Sequence, residues 1–496
     1  MRAQAPASVS NVPATDVVVI GSGPNGLAAA VVAARAGLSV VVVEAQPSIG
    51  GGARTLDLQM ADGVVHDICS AVHPMALASP FLAAFDLAAR GVDLLVPEVS
   101  FAHPLDGGQA GVAYRDLART VAGLGTDGPA WKSLFGPLVE HQASVVEVAL
   151  GDHRHVPHGL VTAIRMALRM LEQGSPLWHT RFGGDAAPAL LSGVAAHAIT
   201  QLPSLSSAGT ALLLGSLAHG SGWPIPRGGS QVITDALVAD LSAHGGRIDT
   251  DTEATSLSGL PPARAYIFDT TPRTLARVAG GRLPERYRRA LAGATYGNAA
   301  AKVDFVLSGP VPWTHPEVAR AGTVHLGGSR GDMVEAEAAV AAGRHADHPM
   351  VLASDPAVMD QTRIGAGGLR PFWTYAHVPA NSTLDPTEAV TAQVERFAPG
   401  FRDLIVASSG IPASKLSDHN ANYPGGDIAG GRITLPRVLL GPVPRWDPYA
   451  TPVPDVFIAS SSTPPGPGVH GMAGFHAAKR VLRRVFGIRE LPELAP

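Results

Sequence analysis

Near the N-terminus, the apolar positions follow the order strand, turn, helix and strand. Residues 17–20 and 39–43 are short runs rich in valine, as in strands that are buried on both faces. The alanine-rich stretch at about 27–36 has the length of a helix and follows a glycine-rich turn. Two such strands joined by a helix form a βαβ unit. We therefore predict a βαβ unit from Asp16 to Glu44.

The rest of the chain alternates between helical and strand patterns. A largely helical region spans residues 157–220, and an amphipathic helix is predicted at about 231–243. Short apolar or alternating runs predict further strands, at 247–250, 265–269, 301–307, 321–326, 349–353 and 371–378. A helix at about 386–397 comes next, and the last unit is a strand at 456–459, a turn and a helix at about 471–485. This order predicts an α/β protein.

Within the helical region, one predicted helix has an apolar face with two arginines beside it. Its apolar residues recur at helical spacing, at Leu160, Val161, Ile164, Leu168 and Leu171. Arg165 and Arg169 lie on another face. Such a helix either covers the core of its domain or rests on a membrane surface, and the sequence leaves both interpretations open.

The composition narrows the classes of function. The 496 residues are enough for two or three domains, and 46% hydrophobic and 16% charged residues are typical of a folded protein. The formal net charge of −4 argues against a nucleic acid partner, because no basic excess is present to neutralise phosphates. Cys69 is the only cysteine, which excludes an internal disulfide, a cysteine-based metal site and a CxxC redox pair. Electron transfer would therefore require a bound cofactor.

Residues 1–15 are expected to form a disordered lead. They lack the apolar core of a signal peptide and the arginine-rich pattern of a transit peptide. No apolar run approaches the roughly 18 residues that span a bilayer. We therefore expect a cytoplasmic protein, with peripheral membrane contact as the alternative noted above.

A glycine-rich turn connects the first predicted strand to the first helix. Residues 21–26 read GSGPNG and match the pattern GxGxxG, directly after a strand and before a helix. Gly21 permits a tight turn, Gly23 lets the backbone approach a diphosphate, and Gly26 allows close packing of helix on strand. In this context the pattern predicts a dinucleotide-binding loop.

The neighbouring residues complete the predicted nucleotide site. The helix that begins at Pro24 and Asn25 offers free N–H groups and its positive dipole end to the diphosphate. Glu44, followed by Ala45, ends the second strand, where its carboxylate can accept hydrogen bonds from ribose hydroxyls. A second GxGxxG match, at 123–128, follows a helical pattern and leads into no βαβ unit, so we interpret it as an ordinary turn.

The segment after the second strand decides between FAD and NAD. It reads EAQPSIGGGART and resembles the extension of glutathione-reductase-like flavoproteins, in which a glycine pair and a basic residue follow the acid. By that resemblance, Gly51 and Gly52 pass beneath the FAD diphosphate, and Arg54, next to Thr55, neutralises it. Ala53 stands where many relatives carry arginine, so a surface position for Arg54 stays an alternative.

A second glycine-rich turn lies near the C-terminus. Residues 455–474 read DVFIASSSTPPGPGVHGMAG, which is a strand, a turn and the start of a helix. Here the chain resembles the phytoene desaturase-like flavoprotein family, especially the branch of pyridine nucleotide-disulfide oxidoreductase domain-containing protein 2, and the likeness runs over about 14–490. It implies that this turn and the helix N-terminus contact the flavin, through Ser461, Gly468, Val469, Gly471 and Met472.

The resemblance also implies the architecture. An FAD-binding Rossmann-like domain of the glutathione-reductase type carries an inserted α+β substrate domain built on a mixed sheet. The FAD domain would comprise residues 16–75, 223–300 and 440–490, and the substrate domain 76–222 and 301–439. Backbone at 251–255, which includes Ala254, would contact the adenine.

The function that the resemblance implies is that of an FAD-dependent oxidoreductase. It would modify C–C bonds of a lipophilic substrate by hydride transfer to flavin N5, with a quinone or oxygen as the final acceptor. One alternative is a flavin amine oxidase, which lines its flavin with an aromatic pair near the C-terminal turn. Phe475 is the only aromatic residue near that turn, which counts against it. Another alternative is a flavin-binding regulatory or interaction protein with little turnover, and a homodimer is left open.

The sequence identifies no catalytic residue with certainty. His470 lies in the turn expected to face the flavin, and His73 follows the FAD loop, so both are candidates for a polar group beside the substrate. For each, a hydrogen bond to nearby backbone is the alternative. No metal site is predicted, because His345 and His348 lack a third ligand nearby.

Overall fold

The computed structural model describes residues 15–496, so the predicted lead at 1–15 lies, apart from Thr15, outside the described residues. Its strands are β1 (Thr15–Ile20), β2 (Val40–Val43), β3 (Thr55–Leu56), β4 (His66–Asp67), β5 (Leu94–Leu95), β6 (Val99–Pro104), β7 (Ala110–Tyr114), β8 (Ile225–Pro226), β9 (Arg247–Asp249), β10 (Ala263–Phe268), β11 (Ala299–Leu307), β12 (Val324–Leu326), β13 (Val351–Ser354), β14 (Arg370–Val378), β15 (Ile405–Ile411) and β16 (Val456–Ile458).

The helices surround two sheets. They are α1 (Pro24–Arg35), α2 (Pro74–Ala78), α3 (Pro80–Phe85), α4 (Leu117–Gly123), α5 (Gly128–Glu140), α6 (Gln142–Leu150), α7 (Leu160–Gln173), α8 (Ala186–Ala195), α9 (Leu205–His219), α10 (Gln231–Ala243), α11 (Pro272–Val278), α12 (Glu285–Ala292), α13 (Arg330–Ala341), α14 (Thr387–Phe397), α15 (Phe401–Leu404), α16 (Leu416–His419), α17 (Leu435–Leu440) and α18 (Met472–Val485).

The first sheet is parallel and has the order β16-β10-β1-β2-β9. Its central strands are valine-rich and buried, because helices cover both faces. Helix α1 packs against α10 and α18 on one face, and α11 and α12 join the core on the other. The predicted βαβ unit and the Rossmann-like fold are therefore confirmed.

The second sheet is mixed and has the order β15-β11-β14-β13-β12-β6-β7. Only β6 and β12 run parallel; the other neighbours are antiparallel. This is the mixed sheet expected of the substrate domain. Strands β6, β7 and β15 escaped the sequence prediction. A turn at Asp106–Gly108 joins β6 to β7. Strand β15 is a half-exposed edge strand with two serines, which lacks the apolar run of a buried strand.

The three stretches predicted for the FAD domain supply the strands of the first sheet, and the other two stretches supply nearly all of the second. β11 begins at Ala299, slightly ahead of the predicted limit at 301. The domain limits themselves stay a prediction. The second GxGxxG match forms a 3₁₀ turn at Gly125–Asp127, as interpreted.

The apolar face of helix α7 points to the surface rather than toward the core. Its apolar residues Leu160, Val161, Ile164, Leu168 and Leu171 are all exposed, and its inner side carries Thr162 and Met166. The apolar face therefore does not cover the substrate domain. No helix within residues 15–496 is long and apolar enough to cross a membrane.

A buried ion pair joins the short β3–β4 pair to the turn between β13 and β14. The guanidinium of Arg363 donates to Asp67 Oδ2 at 3.0 Å and to the Val65 carbonyl at 2.9 Å. Asp67 also accepts hydrogen bonds from the Ser230 amide and the Thr55 hydroxyl. Burial would raise the pKa of Asp67, but Arg363 and these hydrogen bonds hold it below its usual value.

The pair leads to a stability prediction. Arg363→Met leaves the Asp67 carboxylate buried without its cation, so we expect the free energy of unfolding to fall by about 3–5 kcal/mol. The measurement is urea unfolding of the FAD-saturated protein. Adding Asp67→Asn should recover part of the loss, because no unpaired charge then remains. Arg320→Met, in an exposed ion pair, is the control and should cost at most about 1 kcal/mol; equal losses in the two arginine variants would contradict the prediction.

Candidate functional site

A cavity of about 740 Å³ begins at the carboxyl ends of β1, β2 and β10 and extends between α6, α7, α9 and β14. Its volume lies within the range of about 300–1,000 Å³ that is usual for small-molecule sites. In a doubly wound sheet, ligands bind at the carboxyl ends of the strands. The end of the cavity at the first sheet therefore has the position of a nucleotide site. We call the part between α6, α7, α9 and β14 the second compartment.

Most residues predicted to hold FAD line this cavity. They are Gly21, Gly23, Pro24, Asn25, Glu44, Ala45, Gly51, Gly52, Arg54, Ala254, Ser461, Gly468 and Val469. The structure thus brings together turns that lie near opposite ends of the chain. Their individual contacts with FAD stay predictions.

Four predicted FAD residues do not line the cavity. Gly26 is buried in α1 against β10, and the Thr55 hydroxyl donates to Asp67. A Cβ on Gly471 would meet the Phe81 ring, and the amide of Met472 bonds to a side chain of its own turn. These four residues shape the backbone around the site.

Asp269, at the end of β10, explains why the first loop needs its glycines. A Cβ on Gly21 would lie 2.7 Å from the Asp269 carbonyl oxygen, and one on Gly23 would lie 2.5 Å from Asp269 Oδ2. The Asp269 carboxyl also accepts a 2.8 Å hydrogen bond from the Gly26 amide, at the start of α1. The sequence prediction missed this residue, although its place after a strand beside β1 was a usable signal.

The acid at the end of β2 is held rigidly. Glu44 Oε2 accepts hydrogen bonds from the Ser22 amide at 2.9 Å and the Ser22 hydroxyl at 2.6 Å, and Oε1 accepts one from the Gln46 amide. The carboxylate is therefore fixed at the edge of the cavity. Its negative charge also acts on Asp269: burial, and then this charge, raises the pKa of Asp269 to about 7.

Arg54 lies at the cavity wall with its donors largely occupied. Its guanidinium donates to the Gly51 carbonyl, the Ser48 hydroxyl and the His419 carbonyl. Arg54 is buried, so the alternative of a surface arginine does not hold. These bonds brace the glycine loop against α16; neutralisation of a diphosphate by Arg54 stays a prediction.

His470 does not have the position that the sequence suggested. It is fully buried and does not line the cavity. Its Nδ1 accepts from the Met472 amide at 3.0 Å, and Nε2 lies 3.2 Å from the Gly466 carbonyl. Because both ring nitrogens serve backbone groups, His470 holds the C-terminal turn and caps α18, which corrects its choice as a group beside the flavin.

His73 does line the cavity. Its Nε2 lies 2.8 Å from the Ser230 hydroxyl, which gives its own proton to the Ser70 carbonyl, so Nε2 is the donor. The Ser70 hydroxyl lies 3.4 Å from Nδ1. Burial lowers the pKa of His73 to about 4. His73 is therefore a neutral imidazole in a fixed tautomer, and a catalytic role stays a prediction.

The second compartment has an apolar wall. Helices α6, α7 and α9 contribute mainly Leu, Val, Ala and Met, and aromatic rings come from Trp223, Trp373 and Tyr375. Trp373 and Tyr375 contact each other edge to face, with centroids 5.4 Å apart. The aromatic pair expected of an amine oxidase was sought near the C-terminal turn, where Phe475 packs on Phe81. No local pattern in the sequence indicates that β14 turns these two rings toward the cavity.

Carboxylates are confined to the nucleotide end of the cavity. Glu44, Glu253 and Asp269 follow β2, β9 and β10, all in the first sheet. The loop at 420–423, which the sequence prediction missed, closes this end. Its Tyr423 hydroxyl accepts from the Cys69 thiol at 3.1 Å and lies where a Cβ on Gly52 would be.

The residues present fit FAD. Two glycine loops pack directly on each other, since a Cβ on Gly51 would lie 2.9 Å from the Gly23 Cα. Helix α1 has no side-chain cap on Gly23, which leaves N–H groups for an anion, and the buried Asn25 Oδ1 has no protein partner. A cradle of this kind suits a flavin nucleotide with its ring system toward the apolar compartment.

Comparisons with known proteins agree with this assignment. Residues 16–70 match the family model of FAD dependent oxidoreductases. Pyridine nucleotide-disulfide oxidoreductase domain-containing protein 2 from Mus musculus is 23% identical, over 97% of this chain and 96% of the relative.

Two solved structures share the fold. An oxidoreductase from Methanosarcina mazei has a TM-score of 0.58 at 16% identity, over 94% of this chain and all of its own. A triple mutant of putrescine oxidase has a TM-score of 0.60 at 16% identity, over 95% and 99%. With the nucleotide cradle and the matched FAD segment, the chain is an FAD-dependent oxidoreductase.

Proposed function

We propose that the chain oxidises or otherwise modifies C–C bonds of a neutral, lipophilic substrate. One observation carries the proposal: the second compartment is apolar, and neither a carboxylate nor an ammonium group from its helices or from the second sheet lines it. Burying a charged ligand there would cost several kcal/mol without a partner charge. A neutral, extended hydrocarbon is the substrate class that such a wall favours.

Bound FAD would supply the hydride acceptor for such a reaction, in which the adjacent substrate carbon would lose a proton to solvent, and a quinone or oxygen would be the final electron acceptor. The protein's part is to bind and orient the substrate and to exclude water. Trp223, Trp373 and Tyr375 offer flat surfaces to a polyene, and α7 contributes Met166 and Met170. This division of labour supports the phytoene desaturase-like subtype, whose chemistry needs little help from acids and bases.

An amine oxidase is the second candidate. The ring pair Trp373 and Tyr375 favours it, and putrescine oxidase shares the fold. Against it, the wall of the second compartment offers no carboxylate to a cationic substrate. A regulatory flavoprotein with little turnover is the third alternative.

Anaerobic reduction of the FAD-loaded protein separates the candidates. The protein is mixed with a linear polyene, with putrescine or with cyclohexylamine, and the visible absorbance of the flavin is followed. We expect the polyene to bleach the flavin and both amines to leave it oxidised. Bleaching by an amine alone would establish the amine oxidase. A flavin that none of these compounds reduces would favour the regulatory protein.

A second prediction concerns pH. Asp269 lies at the start of α1, where the FAD diphosphate is expected, and its pKa is raised to about 7. Below pH 7 the neutral carboxyl tolerates the diphosphate; above it, the carboxylate repels the diphosphate. We expect the dissociation constant of FAD to rise by up to about tenfold per pH unit above 7, the limit for one linked proton.

Asp269→Asn tests this, because asparagine keeps an acceptor for the Gly26 amide but has no charge. Its affinity for FAD, measured by titration of the apoprotein, should stay flat across pH 6–9 (about the range that brackets the shift). An unchanged pH profile in this variant would show that another group is responsible. The stability of the folded apoprotein should fall with rising pH, as its affinity for FAD does. A raised pKa of the Asp269 carboxyl stabilises the folded state at low pH, and this contribution is lost as pH rises from about 4 to 7.

A further inference from the structure

A cluster of buried histidines ends the apolar compartment. His197, between α8 and α9, lines the cavity, and its Nε2 lies 2.8 Å from Nε2 of His325 on β12. His103 on β6 packs beside His325, and its Nε2 lies 2.7 Å from the Gly328 carbonyl. A Cβ on Gly193 would lie 2.7 Å from His103 Nδ1, so α8 must approach the cluster closely.

The three rings are neutral. Burial lowers the pKa of His197 to about 3 and that of His103 to about 4, and it lowers the pKa of His325 well below its usual value. With one proton on each ring, one of the facing nitrogens of His197 and His325 donates and the other accepts.

The surroundings of His325 decide which ring donates. Its Nδ1 is buried and has no partner. A bare nitrogen there costs less than an N–H without an acceptor, because orphaned buried donors are the rarer case in proteins. Since either assignment leaves one N–H without a partner, we place it on His197, which lines the cavity, and we assign the proton of His325 to Nε2, which then donates to His197. His197 then carries its own proton on Nδ1, which has no protein partner.

Thr323 adds a second unused polar group. It lines the same cavity just before β12, is 1% exposed, and its hydroxyl has no hydrogen-bond partner. A buried hydroxyl without a partner costs about 1–3 kcal/mol, and a ligand can recover this. Two unpaired donors thus lie in a wall that is mainly apolar.

We propose that His197 and Thr323 form a binding site for a neutral oxygen, the carbonyl or hydroxyl at one end of the lipophilic substrate. The inference rests on the proposed function and names the polar group that such a substrate carries. A carboxylate or an ammonium group is disfavoured, because neutral rings give it no counter-charge in a buried site. No group of three metal-binding side chains exists among residues 15–496 to suggest a metal in place of the oxygen.

Ligand competition tests this site. Hexadecane, 1-hexadecanol and 2-hexadecanone each displace a fluorescent hydrocarbon probe from the FAD-loaded protein. We expect the alcohol and the ketone to bind about tenfold more tightly than the alkane, as one recovered hydrogen bond predicts. His197→Phe and Thr323→Val should each reduce that preference to about twofold while alkane binding stays constant. Thr210→Val, which removes another hydroxyl of the cavity wall, is the matched control and should keep the full preference.

Equal affinity of the wild-type protein for all three ligands would overturn the oxygen site. So would a preference that survives both substitutions. If none of the three ligands displaces the probe, the proposed function itself fails, and the oxygen site fails with it.

An independent observation concerns the surface at the cavity mouth. On α7, the side chain of Val161 is 70% exposed and that of Leu168 is 61% exposed. Helix α17 adds Leu435 and Leu439, which line the cavity and are exposed as well, and Trp446 follows it, 76% exposed. Exposed apolar side chains therefore occur where α17 brings the cavity wall to the surface, and α7, which lines the cavity with Met166 and Met170, carries more of them on its outer side.

The two segments beside this surface contain arginines and no acids, while Asp152, Asp447 and Glu172 at their ends pair with Arg154 and Arg169. Residues 153–171 and 428–446 contain no aspartate or glutamate, and they contain Arg154, Arg165, Arg169, Arg432, Arg437 and Arg445. Arg165 and Arg432 form no ion pair within the described part of the chain. Arg437 is occupied elsewhere, because it donates to carbonyls at 429–432 and fixes α17 from below. A basic fringe around apolar side chains and a tryptophan is typical of helices that lie at a lipid surface.

We infer that this surface docks on an anionic lipid bilayer, with the cavity mouth toward the lipid. A second copy of the chain fits less well, because a twofold interface would place the same acid-free segments against each other. Bilayer docking would give a lipophilic substrate a path into the cavity without passage through water.

Vesicle flotation tests the docking surface. The full-length, FAD-loaded protein is mixed with vesicles of phosphatidylcholine alone or with added phosphatidylglycerol. We expect binding to the anionic vesicles that weakens with added salt. The double variant Ile164→Glu/Leu168→Glu should bind at least about fivefold less. Leu384→Glu, at an exposed leucine away from the mouth, should bind as the wild type does.

Light scattering on the same samples measures the oligomeric state, and so tests whether a second copy of the chain covers this surface. A wild-type dimer that becomes a monomer in the double variant, without vesicle binding by either, would overturn the lipid proposal and assign the surface to a second copy. Vesicle binding that all variants retain equally would also overturn it.

Discussion

The site depends on the close packing of a glycine loop against the end of one neighbouring strand. The backbone carbonyl of Asp269 occupies the space that a side chain on Gly21 would need, and its carboxyl occupies the space for one on Gly23. The carboxyl also bonds to the first turn of α1. This packing fixes the path of the loop along the wall of the cavity. Burying a carboxyl beside Glu44 has a cost, which is visible in the raised pKa of Asp269.

The rest of the cavity is organised by separation of charge. Carboxylates stay at the ends of the parallel strands, where a nucleotide offers them polar partners. The second sheet and its helices contribute apolar and aromatic surface, with neutral histidines at one end. One cavity thus has a polar compartment that fits the cofactor and an apolar one for the lipophilic substrate that we propose, because its two compartments are built by two different sheets.

The sequence predicted the parts of this arrangement that depend on local pattern. The βαβ unit with its glycines and Glu44, the helix at 231–243 and the C-terminal turn all have local signals, and the structure has them where expected. The failures are contacts between distant segments. Asp269 comes to the loop through strand pairing, and the rings on β14 reach the cavity because of the sheet order. His470 was misjudged because its position in the turn gave no sign that both nitrogens bond to backbone.

The central claim is that glycine turns near opposite ends of the chain grip one FAD. Equilibrium titration of the apoprotein with FAD tests it most directly, for the wild type and for Gly23→Val and Gly468→Val. Gly468 has a φ of +139°, which a valine rarely adopts, and a side chain at this position would also displace Met75. The account predicts one FAD per wild-type chain and a large loss of affinity from either substitution. A wild-type protein that stays colourless in excess FAD, or variants that bind FAD as well as it does, would contradict it.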